Sequence, residues 1–151
     1  MAPPPSGRDL IRAERRVHRI LRARFAEALV ELGVSYAQFE VMCLLYDVDR
    51  SHPGEIGRRL LITRQSASHL VRQLARGVLV DVWPLEGQSI GVALNDDGRR
   101  RIRHCEDALR STHECLEALD PDIRTRLVDD LRGAEAVLRP RPRPWWVTDP
   151  F

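Results

Sequence analysis

The sequence predicts a mainly α chain of six helices with one small β-hairpin between the fourth helix and the fifth. Three observations predict it. Over most of the 151 residues, apolar side chains recur at spacings of three and four, the period of a helix that buries one stripe. Ser, Thr, Asn or Asp stands just before several of these runs, where a short polar side chain can satisfy the first orphan N–H groups of a helix. Two short apolar segments, 78–83 and 90–94, flank Pro84-Leu85-Glu86-Gly87-Gln88-Ser89, and together they read as a hairpin with a flexible tip.

The elements follow in order. Leu10, Val17, Ile20, Leu21, Phe25, Ala28, Leu29 and Leu32 form one stripe, so 8–32 is a long amphipathic helix that Gly33 ends. Ser35-x-x-Gln38 has the form of a capping box for a helix over 36–48, whose Phe39, Val41, Met42, Cys43, Leu44 and Leu45 are apolar on most sides and belong in the core. Pro53 suits the first turn of a short helix to Leu60. Thr63 caps the next, which runs to Arg76 and which Gly77 can terminate. After the hairpin, Asn95 caps a helix carrying Ile102, Cys105, Leu109, Thr112, Leu116 and Leu119. Asp120-Pro121 opens the last helix, with Ile123, Leu127, Leu131, Ala134 and Leu138 on one side. Residues 1–7 read as a disordered leader without the apolar core of a secretory signal, and 139–151 as a basic, proline-rich arm with Trp145 and Trp146. That arm is either disordered or docks its indoles in an apolar groove.

Composition removes several classes of function. No run approaches the roughly 20 apolar residues of a membrane span. Three cysteines, Cys43, Cys105 and Cys115, match no zinc spacing and no disulfide framework, which fits the reducing cytoplasm. On one helix His104 and His113 point to opposite faces, so they cannot share a metal within a chain. No Ser-His-Asp set, carboxylate pair or phosphate loop is present, and the expectation is a protein without catalytic residues or cofactor.

The net charge is only +2, but it is unevenly spread. From 54 to 76 there are five arginines against Glu55 alone, while from 104 to 131 there are eight carboxylates against three arginines. All the basic residues are arginine, a bidentate phosphate donor. The basic stretch coincides with two short helices joined by a tight turn and followed by the hairpin, the order of a winged helix-turn-helix, whose second short helix enters the major groove. At about 100° per residue, Ala67, Leu70, Val71 and Leu74 face inward. Gln65, His69, Arg72 and Arg76 then face outward, with Ser66, Ser68 and Gln73 on the flanks. Arg and Gln suit base edges, and Arg64 with the serines near the helix start suits phosphates. Arg99, Arg100, Arg101 and Arg103 form a further basic cluster, suited equally to phosphate or to water.

The region 35–98 resembles the MarR-type transcription regulators. Ser35-x-x-Gln38-Phe39, Glu55-Ile56-Gly57-x-x-Leu60, Thr63-x-x-Ser66-Ala67-Ser68-x-Leu70-Val71-x-x-Leu74, Leu79-Val80-Asp81 and Leu94-Asn95-x-x-Gly98 carry the likeness, and the flanking long helices extend it over 10–138. The resemblance implies a single domain over 8–138, with a DNA-binding lobe at 35–98 and dimerising helices at 8–34 and 96–138. It further implies a homodimer on a pseudo-palindromic operator, a repressor in most cases, released by a small aromatic effector or by thiol oxidation. The effector cavity implied between lobe and dimer helices would be lined by Tyr36, Phe39, Met42 and Trp83. The stripes on the last two helices independently call for a partner to cover them.

The chain departs from the family pattern twice. The wing is about two residues shorter than usual, and Gln88 stands near the tip where the family places a minor-groove arginine. The family's helix-ending glycine falls one residue later, at Val78. These departures keep two alternatives open: a winged-helix dimer turned to small-molecule binding or catalysis, and a protein-interaction dimer without DNA affinity.

Overall fold

The computed structural model describes residues 3–138 of the chain; the proline-rich tail at 139–151 lies outside them. The order is α1 (Gly7–Val30), α2 (Tyr36–Val48), β1 (Arg50–Ser51), α3 (Pro53–Leu60), α4 (Arg64–Arg76), β2 (Val80–Pro84), β3 (Ile90–Leu94), α5 (Asp96–Ala108), α6 (Arg110–Glu117) and α7 (Pro121–Leu138), with one 3-10 turn between β2 and β3. The fold is mainly helical with a small antiparallel wing. Two compact units divide after Thr112.

The first unit owes its shape to caps and to a dense core. Ser35 and Gln38 form the capping box of α2, Ser35 N–H donating to Gln38 Oε1 at 2.8 Å and Gln38 N–H to Ser35 Oγ at 3.2 Å. Ser6 and Asp9 do the same for α1, which therefore begins one residue before the predicted start. Phe39, Val41, Met42 and Leu45 of α2 are buried with Ile56 of α3, Ala67, Val71 and Leu74 of α4, Val92 and Leu94 of β3, and Ile102, Cys105 and Leu109 of α5. A helix apolar on most sides sits at the centre because most of its sides have a neighbour. In α1 only Leu29 is fully buried, with Phe25 and Ala28 packed beside it, while Leu10, Val17 and Ile20 are more than half exposed.

The second unit, from His113 onward, has a different character. α7 buries no residue, and Ile123, Leu127, Val128 and Leu131 are all exposed. Asp120 caps α7, its carboxylate accepting from the backbone of Asp122 at 2.9 Å.

Three differences from the sequence reading have local causes. Among the described residues seven helices replace six, because the predicted helix from Asn95 breaks at Leu109, where ψ swings to −4° and Thr112 N–H turns to Leu109 O at 2.9 Å. No Gly or Pro marks that break. The hairpin is part of a three-stranded sheet of order β1-β3-β2, with Arg50 opposite Ala93 and Ser51 opposite Val92. A two-residue strand is too short to show alternation. Finally, Gly77 keeps φ at −77°, and it is Val78 that takes the left-handed conformation after α4, at φ +54°. Leu79 N–H donates to Leu74 O and Val78 N–H to Ala75 O, both at 3.0 Å, which completes a Schellman end with a β-branched residue where glycine is favoured.

Candidate nucleic-acid interface

The turn between α3 and α4 is tight for a stated reason. Leu61 ends α3 in the left-handed region at φ +55°, and Ile62 N–H donates back to Gly57 O at 2.9 Å. A β-carbon at Gly57 would stand 2.9 Å from Ile62 O, so glycine lets the two helices close. Thr63 then caps α4, its Oγ1 accepting from Ser66 N–H at 3.0 Å. At the other end of α3, His52 Nδ1 accepts from Glu55 N–H at 3.3 Å.

This anchoring turns the polar side of α4 outward. Ala67, Val71 and Leu74 are buried and Leu70 is partly so, while Arg64, Gln65, Ser66, His69, Arg72 and Arg76 are exposed and Ser68 is half-buried. One face thus carries three guanidinium groups and several neutral donors and acceptors. Charge balance favours α4 over α3 as the anion-facing element: Glu55 pairs with Arg59 at 2.6 Å and with Arg58. Arg64, Arg72 and Arg76 have no carboxylate partner among the described residues.

The wing supplies no cation. Its strands pair in register from Val80 opposite Leu94 to Pro84 opposite Ile90, and Leu85 N–H donates to Ser89 O at 2.9 Å across the tip, where Gly87 has φ +68°. Gln88 lies in this turn, and its side chain is outside the described residues. Residues 80–94 contain Asp81 and Glu86 and no arginine. The basic cluster after the wing is largely committed elsewhere: Arg99 pairs with Asp49 at 3.2 Å, Arg100 with Asp97, and Arg101 donates to Leu32 O in the turn after α1.

The residues expected to receive a small aromatic molecule fall into two environments. Met42 is fully buried and Phe39 nearly so, both in the core. Tyr36 is half-buried with its ring 5.6 Å from that of Phe25, which in turn meets Phe39 edge-on at 6.4 Å. Burial and the hydroxyl's 2.8 Å hydrogen bond to Glu40 push the Tyr36 phenol up to about 12. Trp83 is half-buried over Gly91, whose missing side chain leaves room for the indole. An opening of about 510 Å³ lies instead between α2 and α4, lined by Ala37, Glu40, Leu60, Ile62, His69 and Arg72 among others.

The sequence reading set Gln73 on a flank of α4 and gave it no partner. It is half-buried, 3.0 Å from His69 Nε2 through its amide nitrogen and 3.5 Å from Gln38 Nε2 through its oxygen. The spacing of four residues from His69 was the available signal. Among the described residues no three His, Cys, Asp or Glu side chains cluster as metal ligands, and no helix is long and apolar enough to cross a membrane. Cys43 is packed, and burial, with Glu106, Asp47 and Glu40 nearby, pushes its thiol up to about 12, away from the reactive thiolate.

No sequence-family profile and no curated protein matches the chain. Solved structures do. A MarR family transcriptional regulator from Streptomyces coelicolor is 23% identical, with a TM-score of 0.75 over 85% of this chain and 91% of that one. A MarR family regulator from Rhodococcus is 16% identical, with a TM-score of 0.77 over 87% of this chain and 96% of that one. A mutant MarR from Escherichia coli complexed with operator DNA is 21% identical, with a TM-score of 0.75 over 83% of this chain and 92% of that one. At the same identity and TM-score stands Bordetella bronchiseptica BpsR, whose DNA binding is regulated by 6-hydroxynicotinic acid, over 83% of this chain and 98% of that one. The chain has the winged-helix fold of these MarR-family regulators.

Proposed function

We propose that this protein is a sequence-specific DNA-binding transcription regulator, acting as a homodimer on a pseudo-palindromic operator and, in the usual sense of such regulators, as a repressor. The observation that carries the reading is the outward face of α4, where Gln65, His69, Arg72 and Arg76 project from a helix whose other side is locked in the core. Arg72 and Gln65 read base edges, while Arg64, Ser66, Ser68 and Arg76 hold phosphates. Gln88 at the wing tip contributes at most a neutral hydrogen bond. The exposed stripes of α1 and α7 are covered by a second copy, which sets two α4 helices one duplex turn apart.

The fold's relatives include one controlled by a hydroxylated aromatic acid, and a small aromatic effector fits the same logic here. Tyr36 and Trp83 keep surface to offer a ring, whereas access to Phe39 and Met42 requires the core to open.

The test is a salt titration of binding to the DNA upstream of the protein's own gene. Log affinity falls linearly with log salt, and Arg72→Ala weakens specific binding by about 1 to 3 kcal/mol. Equal affinity of wild type and Arg72→Ala for that DNA defeats this docking. The acidic wing favours one second reading, a winged-helix dimer without DNA affinity, and the absence of any salt-dependent binding selects it.

A further inference from the structure

The hydrogen bonds that run from α2 into α4 have a fixed polarity. Ser35 N–H is a backbone donor, so the atom of Gln38 that receives it at 2.8 Å is Oε1. The amide nitrogen of Gln38 is thereby left facing α4, where it donates to Gln73 Oε1 at 3.5 Å. Gln73 in turn presents Nε2 to His69 Nε2 at 3.0 Å. An amide NH₂ group has no lone pair to offer, so the ring nitrogen must be the acceptor. A histidine that accepts at Nε2 is neutral and carries its proton on Nδ1.

We propose that Gln73 is a positioning residue that holds His69 as the neutral Nδ1–H tautomer, so that α4 offers a base edge a hydrogen-bond donor at this position and not a positive charge. Neither amide can turn over to suit a different ring state without losing a partner, because the capping box of α2 holds the far end of the chain. An Nδ1–H donor matches the acceptors of the major groove, purine N7, guanine O6 and thymine O4, and finds none in the amino groups of adenine or cytosine. Position 69 therefore discriminates among bases, while the charged work is left to Arg64, Arg72 and Arg76. Glu40 of α2 and Arg72 of α4 line the same opening as His69, and Glu40 is engaged by the Tyr36 hydroxyl.

This inference rests on the DNA-binding reading, and its test separates the two. Long-range proton–nitrogen NMR on the full chain without DNA is expected to show His69 protonated at Nδ1 and bare at Nε2. In Gln73→Met the donor is gone, and the ring shifts toward the Nε2–H form. In selection from a randomised operator, wild type discriminates at the base pair under position 69, and Gln73→Met loses about tenfold of that discrimination with the salt slope unchanged. A wild-type ring carrying its proton on Nε2, or on both nitrogens, in a protein that binds duplex DNA overturns this inference alone. An unchanged tautomer in Gln73→Met also overturns it. A locked Nδ1–H ring in a protein that binds no duplex overturns the regulator reading and the base contact with it. The wild-type spectrum is decisive even if the variant fails to fold.

Discussion

Helices α2 and α7 are built from similar apolar residues and meet opposite fates. In α2, Phe39, Val41, Met42 and Leu45 are all at most 6% exposed, whereas in α7, Leu127, Val128 and Leu131 are 46 to 58% exposed. Part of the contrast is compositional, since α2 is apolar on most sides and α7 on one. α2 also has α3, α4, α5 and the sheet around it within its own compact unit, whereas α7 buries no residue. A stripe left this open costs free energy in water unless something covers it, and the homodimer proposed above would supply that cover.

The largest effect expected from this contrast is in assembly. Leu127→Asp places a charge in the stripe, and an uncompensated charge in a buried seam costs about 3 to 5 kcal/mol. Sedimentation equilibrium should show the dimer dissociating, and a variant that stays as dimeric as wild type breaks the comparison. Leu45→Ala, in the covered helix, should lower unfolding free energy by about 2 to 5 kcal/mol in denaturant titration, since a fully buried leucine leaves a cavity; a loss below about 1 kcal/mol would mean the lobe core repacks freely. Val78→Gly should raise stability by about 1 kcal/mol, because the residue is 64% exposed, contributes little burial and sits at φ +54°. A drop in melting temperature would contradict that strain.

The smallest effect concerns pH. Burial raises the Cys43 thiol above its ordinary value, so the folded state keeps that proton longer than the unfolded chain does. Its contribution is fully present below the unfolded thiol's range and is lost as pH climbs from about 9 toward 12. Cys43→Ala should flatten the alkaline limb of the stability curve and leave its slope near neutral pH unchanged. An alkaline limb of equal slope in both proteins would show that other groups set it.

The predictions also mark where the sequence was legible. Ser35, Thr63 and Asn95 announce helix starts through local hydrogen bonds, and each side chain is found accepting the third residue's N–H. The outward face of α4 was legible for the same reason: a fixed helical period assigns every side chain once the inward stripe is known. The strand Arg50–Ser51 was not legible, because its pairing partners Ala93 and Val92 lie far along the chain. Nor was the break at Leu109, which follows from one rotated ψ with no Gly or Pro to announce it.

The amino-acid sequence by itself determined most helix starts, their caps and the outward face of α4, since each rests on interactions within about one helical turn. Only the tertiary structure decided which apolar stripes are covered, which arginines are already paired and which side chains of α2 reach α4. Those outcomes depend on groups brought together across dozens of residues, such as Arg99 with Asp49 and Gln38 with Gln73, and local pattern holds no record of such meetings.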